Sequence, residues 1–225
     1  MCVPEAKLCK FSDLGSTYLA KRFDREKGER LHYASAMTML GARDGKTDDM
    51  GYLDIAQKVV ELTRQTDKML EELFSRAAFD IAVSNQDNHL RNHGFLLRGE
   101  QWELAPAFDI NPVSNAQYLS LNVDFDSKEK SFGRLLSTGS LYHLDEGKAA
   151  GIIRDISCKV AGNWERLAKA NGIAQRERKE MAPAFSEADK EMRRAQTMAA
   201  ANILRRNRDG TDKGPDGHTR NTDER

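Results

Sequence analysis

The chain has 225 residues, of which 39% are hydrophobic, enough for one substantial core. Its 35 basic and 35 acidic residues cancel, so no whole-chain charge attracts it to nucleic acid or to an anionic membrane. Cys2, Cys9 and Cys158 show no C-x-x-C spacing, which argues against a disulfide framework or a zinc site. No apolar run approaches the ~20 residues of a membrane span. These features predict a globular, cytoplasmic protein with no direct nucleic-acid or membrane partner.

The first forty residues carry a strand pattern followed by a helix pattern. Residues 3–10 and 17–23 flank a cluster of turn residues, which predicts an antiparallel hairpin with Leu19 and Phe23 half-buried. The apolar residues within 31–40 fall on one helical face, so a short helix is expected there, ended by the glycine that follows.

Two longer helices are predicted after a glycine- and aspartate-rich loop over residues 42–51. The first has one apolar face, and Thr66 can cap the second. The apolar stripe of the second helix consists of Met69, Leu70, Leu73, Phe74, Ala77, Ala78 and Ile81. This helix is nearly apolar all round toward its end, as a central buried helix is, and it leads directly to Ser84.

The C-terminal half is predicted to be mainly helical. Residues 118–125 allow one further strand, whereas residues 152–167 have the spacing of a helix that Gly172 can end. Pro183 then separates two charged helical stretches. Residues 205–225 contain almost nothing apolar, so no core offsets their ordering entropy and a disordered tail is expected.

The stretch after the second helix has the composition and the spacing of a catalytic site. Asp87 stands five residues before Asn92, the interval of the protein-kinase catalytic loop H-R-D-x-x-x-x-N. A hairpin is predicted over residues 94–105, and Asp109 follows it, where a kinase carries its second, metal-binding aspartate. The loop, the hairpin and the second aspartate therefore come in the order of a kinase.

The residue types fit phosphoryl transfer. A carboxylate at Asp87 can take the proton of an attacking hydroxyl, and the oxygen ligands of Asn92 and Asp109 suit Mg²⁺. His89 lies two residues after Asp87, so it either contacts the ligand or braces the loop. Arg91 can offset phosphate charge, although a surface salt bridge would give the same pattern.

A metal-dependent hydrolase is a less favoured interpretation. Asp87, His89 and His93 together form a mixed set of nitrogen and oxygen ligands. In that interpretation the spacing from Asp87 to Asn92 and the later Asp109 have no role. A structural role is favoured for His93.

Several of these stretches, taken in order, resemble the HipA-like serine/threonine kinases, the toxin components of bacterial toxin–antitoxin pairs. The matching stretches are residues 21–25 (KRFDR), 30–41, 84–97 and 104–112. The resemblance extends over roughly residues 3–204. It implies an α+β, mainly α fold: a protein-kinase-like C-lobe with a short N-terminal β-hairpin.

Three parts of the chain follow from the resemblance. Residues 1–25 are expected to form the hairpin and the hinge between lobes, residues 26–204 the helical kinase lobe, and residues 205–225 the disordered tail. The implied cofactors are ATP and Mg²⁺. Phe23 would meet adenine through the hinge and His89 would approach the nucleotide.

The same resemblance suggests partners and a missing part. The phosphate acceptor would be a protein, such as an aminoacyl-tRNA synthetase, and a DNA-binding antitoxin would be a further partner. In the family, a phosphate-binding loop and a strand lysine precede the hinge, and few residues precede it here. We therefore expect a separate N-lobe to complete the site; alternatively, the chain is a catalytically inactive fragment that acts as a protein-binding module.

Overall fold

The computed structural model describes residues 1–12, 15–47 and 49–211, with side chains described as far as residue 201. Strands β1 (Ala6–Ser12) and β2 (Gly15–Ala20) form the expected antiparallel hairpin, with Ala6 opposite Ala20. The turn residues 13 and 14 lie outside the described part. All of β2 is exposed, so the expectation of a half-buried Leu19 is wrong, whereas Phe23 is half-buried as predicted.

The hinge region leads into a three-stranded sheet that combines local and distant segments. A small ladder, β3 (Arg25–Glu26) with β4 (Glu29–Arg30), precedes β5 (His32–Ser35). β5 pairs antiparallel with β6 (Gly94–Arg98), which pairs in turn with β7 (Gln101–Leu104). The hairpin predicted over residues 94–105 is confirmed.

The helix predicted over residues 31–40 is wrong in its first half. His32–Ser35 is a strand because it finds a partner in β6, and only α1 (Ala36–Met39) is helical. The Ser35 side chain caps α1 by accepting a hydrogen bond from the backbone N–H of Thr38. The spacing of these apolar residues fits either a helix or a strand at a sheet edge. Pairing with β6 decides in favour of the strand.

Five helices build the body of the lobe. They are α2 (Tyr52–Leu62), α3 (Thr66–Val83), α4 (Phe132–Ser137), α5 (Glu146–Ala170) and α6 (Gln175–Met181). Thr66 is the first residue of α3 rather than its cap, which is Gln65. A 3₁₀ turn over Gly139–Tyr142 follows α4, and α5 is followed by Gly172 as expected.

The chain ends in a long helix. A 3₁₀ turn at Ala182–Phe185 contains Pro183, and α7 (Ser186–Thr211) then runs against α5. α7 therefore enters the segment predicted as a tail, and the rest of that segment lies outside the described residues. The strand predicted over 118–125 is not formed; in this range the chain makes turns with isolated bridges such as Tyr118 with Glu129.

Two apolar cores lie along α3 and α5, and each of these helices contributes buried residues to both. The larger core joins α2, the first part of α3 and the sheet through residues such as Ile55, Phe74 and Phe95. The smaller one gathers Val83 at the end of α3 with Val160 and the start of the last helical segment. No helix among residues 1–12, 15–47 and 49–211 is long and apolar enough to cross a membrane.

Candidate active site

The candidate loop begins where α3 ends at Ser84. Ser84 adopts a left-handed conformation (φ 54°), and the backbone N–H of Asn85 donates to the Asp80 carbonyl at 2.9 Å. The Ser84 hydroxyl donates to the Ala184 carbonyl at 2.7 Å and accepts from Lys130 Nζ at 2.8 Å. These bonds fix the direction in which the loop leaves the helix.

Asp87 and Asn92 meet across a closed turn. The Asn92 amide Nδ2 donates to the backbone carbonyl of Asp87 at 3.2 Å, and the Asn92 backbone N–H donates to the His89 carbonyl at 2.8 Å. The Asp87 side chain is exposed, whereas Asn92 is 7% exposed. The bond made by Nδ2 orients the amide, and the carbonyl oxygen Oδ1 is the atom of Asn92 that can ligate a cation.

Asp109 is exposed in a segment that runs beside the start of this loop. It adopts a left-handed conformation (φ 58°), and its Oδ1 accepts a hydrogen bond from the Asn111 side chain at 3.0 Å. The Asn111 backbone N–H donates to Asn85 Oδ1, and Val113 N–H donates to the Ser84 carbonyl, both at 3.3 Å. The structure thus ties the Asp109 segment to the loop that carries Asp87.

A buried carboxylate that the sequence interpretation missed lies behind the loop. Asp80 accepts hydrogen bonds from the Tyr52 hydroxyl and the Asn85 amide, each at 2.8 Å, and from the Asn88 amide. Burial raises the pKa of Asp80 to about 6, against the opposite effect of these donors and of Arg76. In the sequence, the one sign of this buried carboxylate is a charged residue, Asp80, within the otherwise apolar end of α3.

The two histidines have different surroundings. His93 is 3% exposed with its ring edge-on to the Tyr52 ring at a centroid distance of 5.6 Å, and burial lowers the pKa of His93 to about 3, so it is neutral at physiological pH. His89 is half-buried, and its Nδ1 has no hydrogen-bond partner in the described part of the chain. Arg91 forms an exposed salt bridge with Asp44. This is the surface salt bridge that the sequence allowed as the alternative to a phosphate contact.

A hydrolase site built on these histidines is not favoured. The Asp87 side chain is exposed while His93 is in the core beside Tyr52. Within residues 1–12, 15–47 and 49–211, no group of three or more His, Cys, Asp or Glu side chains could hold a metal ion. A Mg²⁺ site of the kinase type differs, because one carboxylate and one amide oxygen are completed by phosphate oxygens and water.

Phe23 reaches the site through an aromatic cluster. Its ring lies 5.5 Å from the ring of Phe108 and 6.0 Å from that of Tyr33, and Phe108 directly precedes Asp109. The next residue, Asp24, accepts two hydrogen bonds from Arg22, which lower the pKa of the Asp24 carboxyl to about 2. The bonds between Arg22 and Asp24 brace the segment internally, and the Phe23 ring packs it next to the candidate site.

The fold is α+β and mainly α, with a short N-terminal hairpin, and it is shared with a solved HipA structure. A search of solved structures finds HipA of Shewanella oneidensis MR-1, in its toxin–antitoxin complex with HipB and operator DNA, with a TM-score of 0.70 and 16% identity. The match covers 86% of this chain and 52% of that one, so this chain spans about half the length of that HipA. The proinflammatory kinase CtkA of Helicobacter pylori matches with a TM-score of 0.46 and 13% identity, over 84% of this chain and 82% of that one.

The sequence profile of the HipA-like C-terminal domain matches residues 1–164, which is most of the chain. The chain belongs to this family. No curated protein gives a significant match.

Proposed function

We propose that the chain is the C-terminal lobe of a serine/threonine protein kinase that transfers the γ-phosphate of ATP to a protein hydroxyl when an N-lobe completes the site. The closed turn that joins Asp87 to Asn92, with Asp109 tied alongside, carries this proposal. Family membership supports it at the level of the HipA-like domain.

Each residue has a role in this proposal. The exposed Asp87 carboxylate accepts the proton of the acceptor hydroxyl, and Asn92 Oδ1 and the Asp109 carboxylate would hold Mg²⁺. When bound, Mg²⁺ neutralises charge on the phosphates. Phe23 contributes the hinge that meets adenine, and His89, which is half-buried in the loop, approaches the nucleotide.

The exposed hairpin supports the requirement for a further segment. Leu8, Phe11 and Tyr18 are between 49% and 73% exposed. A two-stranded hairpin is only marginally stable in water by itself, and exposed apolar surface of this kind marks contact sites. We assign this surface to contact with the N-lobe. A catalytically inactive, protein-binding lobe is the second candidate, and the same surface favours it equally.

Partners follow from the same proposal. The matched Shewanella structure contains HipB and operator DNA, so an antitoxin that itself binds DNA is the proposed regulatory partner here. The acceptor is proposed to be a protein, with an aminoacyl-tRNA synthetase as the example that the resemblance suggests. We place these events in the cytoplasm.

The test uses the chain completed by its N-lobe, in cis or as a second polypeptide. Asp87→Asn and Asp109→Asn should each lower transfer of radiolabelled phosphate by about 10²–10³-fold, because each removes a preorganised charge at the reacting group. Asp126→Asn, which neutralises an exposed carboxylate later in the chain, is the matched control and should retain activity. Circular dichroism checks that all variants fold. Wild-type transfer in both site variants would reject the assignment, and an inactive complete assembly would favour the binding module.

A further inference from the structure

We infer that Asp80 and Asn85 are positioning residues, which hold the Asp109 segment at a fixed place relative to the loop that carries Asp87. The inference rests on the proposed function for its catalytic meaning. Neither residue touches the exposed face of the site: Asp80 is 1% exposed and Asn85 is fully buried.

The inference depends on the amide side chain of Asn85, which joins Asp80 to Asn111, and on the amide side chain of Asn111, which bonds to Asp109. The contacts of Asn85 are called the Asn85 bridge. Asn85 Nδ2 donates to Asp80 Oδ1 at 2.8 Å, and Asn85 Oδ1 accepts from the backbone N–H of Asn111 at 3.3 Å. The Asn111 side chain then donates to Asp109 Oδ1 at 3.0 Å. Asn85 therefore joins the buried carboxylate to the backbone of Asn111, and the side chain of the same Asn111 bonds to the proposed metal ligand.

The chemistry of Asp80 orients this bridge. Its carboxylate accepts from three donors, Tyr52, Asn85 and Asn88, so the Asn85 side chain must turn its NH₂ group toward Asp80. The carbonyl oxygen of Asn85 must then face Asn111. A residue without both a donor and an acceptor cannot make the two contacts at once.

A second buried side chain of α3 supports the same segment. The guanidinium of Arg76, 2% exposed, donates to the Ala105 carbonyl at 2.8 Å and pairs with Glu72 at 3.0 Å. Ala105 lies just after β7, on the way to Asp109. Arg76 within α3 and Asn85 just after it therefore both hold the Asp109 segment, in addition to the bond from the Val113 N–H to the Ser84 carbonyl.

Asn85→Ala and Asn88→Ala form a matched pair for the test. Each removes one buried amide donor from Asp80, but only Asn85 bonds to Asn111. Amide hydrogen exchange of the 225-residue chain, followed by NMR, reads the bridge directly. In Asn85→Ala the Asn111 amide should exchange about tenfold faster relative to the α2 amide of Val59, and in Asn88→Ala this ratio should stay as in the wild type.

The effect of the Asn85 bridge on Mg²⁺ use is tested in the chain completed by its N-lobe. Asn85→Ala should raise the Mg²⁺ concentration needed for half-maximal transfer several-fold, while the KM for the protein acceptor is unchanged. Asn111→Ala, an exposed change that removes the bond to Asp109 but keeps the backbone N–H, should raise the Mg²⁺ requirement while the backbone N–H at position 111 stays protected.

Two results would overturn the inference. One is unchanged Asn111 exchange in Asn85→Ala; the other is equal loss of protection in both variants, which would indicate general loosening. A completed wild-type assembly with no transfer would reject the proposed function instead, while the exchange measurement would still decide whether the bridge holds the Asp109 segment.

Discussion

Gly94 is a residue whose lack of a side chain is required by its neighbour. A Cβ at this position would lie 2.3 Å from atoms of the Tyr33 ring, which covers the start of β6. We expect Gly94→Ala to lower the free energy of unfolding by roughly 1–3 kcal/mol, because ring or strand must shift. Urea denaturation of the purified chain measures this change.

A second glycine supplies the control. Gly162 lies within α5, and a methyl group there would meet no atom within 4 Å beyond the backbone of its own helix. Gly162→Ala should therefore stabilise the chain by about 0.5–1 kcal/mol through helix propensity.

The double variant tests the contact between Tyr33 and Gly94. Adding Tyr33→Ala to Gly94→Ala should recover part of the free energy of unfolding that Gly94→Ala loses. If Gly94→Ala is as stable as the wild type, the close packing of Tyr33 on this strand is wrong.

Asp80 gives the fold a specific pH dependence. Its folded pKa of about 6 lies above the roughly 3.9 of an unfolded aspartate, so the folded state holds this proton more tightly. The stability from that proton is present below pH ~4 and is lost as the pH rises through 6. Relative to Asp80→Asn, the free energy of unfolding of the wild type should therefore fall between about pH 4 and 7, by up to about 3 kcal/mol.

The groups around Asp80 keep their charge over this range. Burial raises the pKa of the Tyr52 hydroxyl well above its ordinary value, and His93, with a pKa of about 3, stays neutral. Urea unfolding of both chains at several pH values isolates the contribution of Asp80. A difference between wild type and variant that does not change with pH would show that Asp80 is ionised throughout.

Which residues of the candidate site the sequence reveals depends on whether they share a short segment. Asp87 and Asn92 stand at a recognisable interval, and Asp109 follows a hairpin that the sequence also predicts. Asp80 and Tyr52 come from different helices and meet only in the folded chain, 28 residues apart in sequence. No spacing marks such a pair, so the buried network behind the loop could not be predicted.

At the scale of elements, the sequence predicts long periodic helices and strand pairs joined by a recognisable turn, but not isolated short segments. α3 and α5 were expected because their apolar stripes repeat over several turns. The His32–Ser35 strand and the turns at 118–125 were misassigned because a short apolar run is decided by its tertiary partner, here β6 for the strand. The small helix α4 was not predicted at all.

The start and the end of the last helical segment should contribute very differently to stability. Phe185 is 8% exposed and its ring stacks on Trp164 at a centroid distance of 4.5 Å, so Phe185→Ala should lower the free energy of unfolding by about 3–5 kcal/mol.

The end of the segment should contribute little. Most residues from Arg193 to Ala201 are exposed, so deleting residues 205–225 should change the free energy of unfolding by no more than about 0.5 kcal/mol. Thermal and urea denaturation of both variants check this. A large loss on deletion would show that the end of the chain packs against the lobe.

At the scale of the molecule, the two cores are joined by shared residues. Phe132 and Ile156 pack against both clusters, and α3 and α5 each contribute buried residues to the two. One part of the lobe therefore cannot lose its packing without exposing apolar surface of the other. We expect the larger and the smaller core to unfold in a single cooperative transition.

The chain carries one tryptophan beside each core, which makes this expectation measurable. Trp102 packs on the larger cluster and Trp164 on the smaller one, and the sequence contains no other tryptophan. In Trp164→Phe the fluorescence reports the larger core, and in Trp102→Phe the smaller. Within each variant the urea midpoint from fluorescence should coincide with that from far-ultraviolet circular dichroism, since helices α3 and α5 run through both cores. If fluorescence of Trp164 changes at lower urea than the circular dichroism of the same variant, the smaller core opens independently and the contacts of Phe132 and Ile156 do not couple the two.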